Sequence, residues 1–326
     1  MLALVCRELT GLDGLAVQDL PAPEPGPGQV RIRVRAAGLN FADTLIVKGQ
    51  YQERPPLPFV PGMEIAGTIE VCGQGVAGIA PGERVLATLE HGGFAEAAVT
   101  AADNVVRLPD EVDDVAAASL PIAYGTAYGA LCWSGRLQAG ETLMVHGAGG
   151  GVGLAAVECG HVLGARVIAT ARGAAHLDAA RAHGADHVID TAREDVRARA
   201  LELTDGKGVD VILDPIGGEL FTASLRAIAW EGRILVIGFA SGDIPQIPAN
   251  RLLLKNAGAI GFYWGSYRRN DPARVRAALD QLLRWCAEGR IRPHASDVLP
   301  LAKAREALEL LLARKSTGKV VLRMGD

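Results

Sequence analysis

The chain has 326 residues, of which 49% are hydrophobic and 21% charged, and a formal net charge of −4. That length is ample for a buried core and points to two domains. The slight acidity and the absence of Lys/Arg blocks exclude the electrostatic footprint of a nucleic-acid or anionic-membrane binder, which leaves small molecules as the expected partners.

The first ten residues, MLALVCRELT, place Arg7 and Glu8 where a signal peptide would still be apolar, so no export signal is expected. Residues 1 to 115 carry short β-like runs, VRIRVRAAG, EIAGTIEVCG, ERVLATL and FAEAAVT, punctuated by PAPEPGPGQ (21 to 29) and PPLPFVPG (55 to 62). This pattern predicts a mainly β domain. Val115 to Gly135 carries no formal charge over a length that could span a membrane. Pro121, Gly125, Gly129 and several hydroxyl side chains interrupt it, so it is read as a buried segment of a soluble fold.

From about residue 121 the pattern becomes strand and helix in alternation. Strands are expected at 142–146, 166–170, 187–190, 209–214, 232–238 and 259–262, with helices following the glycines at 147–151 and near 174–183 and 194–203. Apolar strands separated by crossover helices predict a parallel sheet covered on both faces. The tail adds a long helix opened by Pro272 and stopped by Gly289, a second helix over roughly 301–314, and a closing strand GKVVLRM. Cys6, Cys72, Cys132, Cys159 and Cys286 are scattered and never spaced as C-x-x-C, which suits a reducing cytoplasm.

The stretch VHGAGGGVG, residues 145–153, places five glycines between a strand and a helix. Such a turn lets main-chain amides approach a pyrophosphate at the helix N-terminus. In register with G-x-G-x-x-G it reads Ala148, Gly150 and Gly153, with alanine in the first place and Gly147 and Gly149 beside it. Gly151 and Val152 complete the predicted phosphate cradle. The alternative is a glycine turn that only packs helix on strand. Twenty residues on, where an NAD site would place Asp or Glu, the chain has Thr170, Ala171 and Arg172. An arginine there suits a 2′-phosphate and points to NADP(H). His176 and Arg314 are weaker phosphate candidates, with a solvated surface residue as the leading reading of each.

Several stretches together, AAGLNFADTLIVKGQY, VPGMEIAGTIEVCGQGV, GERVLA, GGFAE, GTAYGAL, the turn at 148–153 and GADHVID, resemble the medium-chain dehydrogenase/reductase superfamily. Within it the chain is similar to the zinc-independent NADPH:quinone oxidoreductases of the zeta-crystallin-like branch. The resemblance implies an α/β protein with a GroES-like, mainly β catalytic domain over 1–120 and 263–326 and a Rossmann NADP-binding domain over 121–262. At the positions of the catalytic zinc ligands of the alcohol dehydrogenases stand Asn40, Met63 and, by approximate alignment, Ile122, and the four-cysteine structural lobe is missing. No metal is expected. Asp43 and Glu64 remain as acids without the ion they would have supported.

The same resemblance implies Asn40 as an orienting amide near nicotinamide or the substrate oxygen, Tyr51 as donor or proton source, and Asp43 as a catalytic residue or a helix cap; the alternative for Tyr51 is a loop tyrosine packing on Pro55 and Pro56. Thr126 falls beside the nicotinamide, with a helix-interior threonine as the alternative. Pro215 to Gly217, Gly238, Phe239, Ala240, Ser241, and Phe262 to Trp264 fall at strand ends around the cofactor. Phe59, Tyr263 and Trp264 are candidates for an apolar acceptor pocket, with core packing as the alternative for each. The expected activity is hydride transfer from NADPH to a quinone or an α,β-unsaturated carbonyl; the competing reading is a non-catalytic NADPH-binding protein with a structural or regulatory role. A homodimer or homotetramer is expected, with the apolar AIGFYWG strand pairing across a two-fold axis.

Overall fold

The computed structural model describes residues 1–325. Its backbone falls into two compact units, one of residues 1–122 with 272–325 and one of residues 123–271.

In the first unit β1 (Leu2–Cys6) and β2 (Leu15–Asp19) form an antiparallel ribbon. β3 (Gln29–Gly38) leads through the short α1 (Phe41–Ile46) to β4 (Glu64–Cys72), β5 (Arg84–Thr88), β6 (Ala97–Ala101) and β7 (Val105–Arg107). Along β3 the period of two is plain: Val30, Ile32 and Val34 are buried while Arg31, Arg33 and Arg35 face outward. α2 (Asp114–Ala118) follows, its start capped by Asp113 accepting from the Ala116 N–H at 2.8 Å.

The chain passes from the first unit into the second within a π-helical turn at 120–124, and α3 (Gly125–Gly129) and a further π-helical turn at 130–134 follow. Then come β8 (Thr142–His146), α4 (Gly151–Val162), β9 (Arg166–Ala171), α5 (Ala174–Ala182), β10 (His187–Asp190), α6 (Val196–Leu203), β11 (Val209–Asp214), α7 (Gly218–Ala227), β12 (Ile228–Val236), α8 (Ala249–Leu253), β13 (Gly258–Gly261) and α9 (Trp264–Asn270). The six strands are all parallel, in the order β10-β9-β8-β11-β12-β13. This is the doubly wound arrangement, with its switch point where chain direction across the sheet reverses, between β8 and β11. β8 is buried along its whole length, as a strand covered on both faces must be. The core of this unit is Met144, Ile168, Ile212, Phe221 and Ile234.

The chain then returns to the first unit with α10 (Pro272–Ala287), β14 (Ala295–Pro300), α11 (Ala304–Leu312) and β15 (Lys319–Arg323). β15 inserts between β14 and β3, giving a seven-stranded sheet with the path β14-β15-β3-β4-β5-β7 and β6 off it, paired to β3. The return falls after α9, not before it, because the aromatic face of that helix packs within the second unit: the Trp264 and Trp133 rings stack with centroids 5.7 Å apart. Residues 115–135 break into short helical pieces, and among the described residues no helix is long and apolar enough to cross a membrane.

Candidate functional site

The glycine turn lies at the switch point of the second unit. β8 ends on His146, wholly buried, with Nδ1 2.7 Å from Thr170 Oγ1 and Nε2 2.7 Å from Ser224 Oγ. Ser224 donates its own proton to Leu220 O, so the network assigns the hydrogen to Nε2. Burial lowers the His146 pKa, with the Asp214 carboxylate opposing in part. This neutral, doubly bonded ring pins the ends of β8 and β9.

Beyond His146 the backbone turns through Gly147 at φ 60°, and the Ala148 N–H bonds Thr170 O at 3.0 Å. The first intrahelical bond of α4 is Leu154 N–H to Gly150 O at 2.8 Å, which leaves the amides of Gly151, Val152 and Gly153 as the donors of an open helix start. Two glycines are required by close approach. A Cβ on Gly153 would stand 2.1 Å from Gly147 O, and one on Gly149 would stand 2.4 Å from the His176 Cβ. At Gly150 a Cβ would meet nothing nearer than 3.5 Å, so the missing side chain there leaves open space at the helix start.

Arg172 is exposed directly after β9, and no ion pair holds its guanidinium among the described residues. Thr170 is fully buried, and its hydroxyl is spent on His146. His176 rests against the glycine turn, half-exposed, with its Nδ1 3.2 Å from Arg172 O. On the other flank, Asp214 Oδ1 accepts from the N–H groups of Ile216 and Gly217 at 2.8 and 2.9 Å. The Ala240 and Ser241 amides bond Pro215 O and Ile216 O at 3.1 and 2.9 Å. The loops after β11 and β12 are thus zipped together, with Gly238 inside the join and the Phe239 side chain 39% exposed. Thr126 is buried in α3. Phe262 and Trp264 are buried as well, their rings pressed against Gly129 and Gly125 and grouped around Trp133, so these side chains pack the fold and only their main chain is placed at the end of β13.

In the first unit Asn40 and Asp43 come together at the start of α1. The Asn40 N–H donates to Asp43 Oδ2 at 2.8 Å, a third-position acid bonding back to the helix cap. Around them lies a buried polar cluster that sequence reasoning missed. Lys319, on β15, donates from Nζ to Leu39 O at 2.6 Å, Asn40 Oδ1 at 2.8 Å and Glu64 Oε1 at 2.6 Å. Asn40 Nδ2 donates to Glu64 Oε1 at 2.8 Å, and the Ile122 N–H donates to Glu64 Oε2 at 2.8 Å. Tyr51 is half-buried in the loop after α1, packed against the core of this unit. Arg314 is exposed in the first unit, just past α11 with φ 54°.

Asp43 is completely buried, and desolvation pushes its carboxyl up to about 7 against the lowering effects of the Asn40 N–H and the Lys319 ammonium; Glu64 raises it further. Its Oδ1 has no partner at hydrogen-bonding geometry, and the Gly62 main chain favours the anion only weakly. Below about pH 4 the carboxyl is protonated folded and unfolded alike; as pH rises toward 7 only the unfolded chain releases the proton, so stability falls across that window and levels off above it. Asp43→Asn removes this titration. The stability of the variant relative to the parent is expected to rise from pH 4 to pH 7 by a few kcal/mol at most, read as urea midpoints at several pH values.

Comparison with known proteins agrees with this geometry. Residues 26–110 match the alcohol dehydrogenase GroES-like domain, and residues 151–284 match the family described as zinc-binding dehydrogenase. The chain is 41% identical, over 98% of its length and 91% of the relative's, to quinone oxidoreductase-like protein 2 of Rattus norvegicus. It is 37% identical, over 88% of each chain, to a quinone oxidoreductase of Pseudomonas aeruginosa. Among solved structures, Escherichia coli quinone oxidoreductase complexed with NADPH superposes with a TM-score of 0.93 at 27% identity, covering 99% of this chain and 100% of that one. A quinone oxidoreductase of Pseudomonas syringae superposes with a TM-score of 0.92 at 32% identity, covering 99% of both. The chain belongs to the medium-chain dehydrogenase/reductase superfamily, in its quinone oxidoreductase branch.

The zinc in the second family's description does not fit the residues present here. Met63 is a buried thioether, Ile122 offers only its N–H, and both polar faces of the Asn40 amide are already bonded. The Lys319 ammonium puts a positive charge against Asn40 and Glu64, which opposes a divalent cation at the same place. Among the described residues no group of three or more His, Cys, Asp or Glu side chains could hold a metal ion.

Proposed function

We propose that the protein is an NADP(H)-dependent reductase that delivers hydride to a quinone or an α,β-unsaturated carbonyl without zinc. The observation that carries this reading is the turn at 147–153: an open helix start at the switch point of a doubly wound sheet, floored by glycines whose hydrogens alone leave room, with Arg172 exposed at the end of the neighbouring strand. NADPH-complexed relatives support the choice of cofactor.

Reduced nicotinamide, when bound, supplies the hydride. The amides of Gly151, Val152 and Gly153 are oriented to bind its pyrophosphate, and the Arg172 guanidinium to pair with the 2′-phosphate. Pro215, Gly238 and Ala240 border the same end of the sheet, where Thr126 serves the nicotinamide. On the acceptor side Tyr51 donates a hydrogen bond, and then a proton, to the oxygen that gains charge. Asn40 orients with an amide whose direction is fixed. Asp43 acts through the Asn40 backbone as a positioning residue.

The test is NADPH oxidation followed at the nicotinamide band with a panel of quinones and enones. Turnover above protein-free controls is expected, with kcat falling about 10- to 100-fold in Tyr51→Phe at unchanged NADPH affinity. Binding of NADPH without turnover of any acceptor would favour the non-catalytic role instead. That second reading draws on one observation: the amide hydrogens of Asn40 are directed to Glu64 and, at 3.5 Å, to Gly38 O, which takes the obvious donor away from a substrate.

The protein is further proposed to work in the cytoplasm, where its free cysteines remain reduced, and to self-associate. β13 is an edge strand, and Trp230, Ile244, Leu253 and Leu254 of the same unit are 62 to 75% exposed. A dimeric mass at micromolar concentration is expected from light scattering, reverting to monomer in Leu253→Glu/Leu254→Glu; a monomeric parent would end the dimer proposal.

A further inference from the structure

We infer that Lys319 is a positioning residue, which locks the side-chain amide of Asn40 in a single orientation by gripping its oxygen while Glu64 grips its nitrogen. The functional importance of that amide rests on the reductase reading above; the lock itself does not.

Lysine is almost never fully buried unless paired, and Lys319 is only 3% exposed. Balancing the Glu64 charge needs one contact. The ammonium instead places each of its three donors on a separate acceptor: Glu64 Oε1, Asn40 Oδ1 and the main-chain oxygen of Leu39. Asn40 Nδ2 donates to the same Glu64 oxygen, so the amide bridges the two members of the ion pair. A flipped amide would turn its NH2 toward the ammonium and its oxygen toward the carboxylate, exchanging two attractive contacts for two repulsive ones in a medium of low dielectric.

The backbone holds the grip in register. The Leu39 N–H bonds Val320 O at 2.9 Å, and Val321 pairs with Gly38 across β15 and β3, so Lys319 is set beside Asn40 by the sheet itself. Glu64 starts β4, and its second oxygen is tied to the Ile122 N–H. An amide oxygen that accepts from a cation also polarises its own N–H groups, so the lock both orients Asn40 and strengthens the bond its nitrogen makes to Glu64.

Two variants separate positioning from charge balance. Lys319→Met/Glu64→Gln removes both charges together, and Lys319→Arg keeps the cation but presents a planar fork that cannot reproduce three contacts diverging from one nitrogen. Selective [15N]Asn labelling gives a readout independent of activity, since the chain has five asparagines and the Asn40 side-chain pair is assigned by its loss in Asn40→Ser. In the parent the Asn40 NH2 pair is expected sharp and slow to exchange. In both variants hydrogen exchange at that pair is expected to rise at least about 10-fold and kcat to fall about 10-fold, while NADPH Kd stays within about 2-fold of the parent and, for Lys319→Arg, the thermal midpoint is retained. Parent-like exchange and kcat in Lys319→Arg would overturn the inference and leave the lysine as a counter-charge. If the parent itself turns over no quinone or enone, the reductase reading falls while the amide exchange still decides the lock.

Discussion

Gly153→Val is expected to reduce NADPH affinity at least about 100-fold, equivalent to roughly 3 kcal/mol, and to destabilise the second unit by a further ~2–4 kcal/mol. The reason is where the new atoms would go. A Cβ at 153 meets Gly147 O at 2.1 Å and the Gly147 carbonyl carbon at 2.6 Å, main-chain atoms that no rotamer change can move aside. The turn must open, and with it the Ala148 amide bond to Thr170 that holds the loop against β9. Gly150→Ala is the informative companion. Gly150 has φ −89°, which alanine tolerates, and its Cβ would have 3.5 Å of clearance, so the fold should keep its thermal midpoint. Only the ligand competes for that space. Calorimetric titration together with thermal unfolding separates the two outcomes: lost binding with intact stability for Gly150→Ala, loss of both for Gly153→Val.

The second large effect is expected from Lys319→Met as a single change. Methionine fits the volume but leaves the Glu64 carboxylate, itself fully buried, with no cation. Breaking a buried pair on one side costs about 3–5 kcal/mol, because the abandoned charge loses its partner and does not regain water. The midpoint in urea should fall accordingly, and Glu64→Gln added to Lys319→Met should recover most of the loss. A single variant as stable as the parent would show that water reaches Glu64 and that the cluster is less enclosed than its geometry indicates.

Much of the cofactor unit was legible because periodicity and glycine placement act locally. The pattern gives strands 142–146, 187–190 and 209–214 the bounds they have, and in the other unit the helix opened by Pro272 begins on that residue. The glycine turn could be read because each of its residues answers to the same short loop. Lys319 could not, since in GKVVLRM it is one charge at the mouth of an apolar strand, and what makes it matter lies 255 residues earlier at Glu64. Its one sequence signal was a lysine beginning a strand otherwise fit for burial. The π-helical turns flanking α3 carry no periodic signature in an alanine-rich stretch, and α7, although amphipathic, is short and enclosed between two stronger strand patterns. Thr170 lies near the end of β9, where the strand pattern puts it, but only the fold shows that its hydroxyl turns toward His146. The expected homodimer, the acceptor and the phosphate ligands depend on surfaces and partners that a single chain's pattern does not encode.

The insertion of β15 between β14 and β3 has a consequence for biogenesis. On the ribosome, residues 123–271 can complete their parallel sheet while the β domain ahead of them still lacks an interior strand. Until Lys319 emerges, Glu64 has no cation and the groove beside β3 stays open, a standing invitation to chaperones. Nascent chains stalled before residue 319 should therefore resist protease across the nucleotide fold while being cut readily within the first 122 residues.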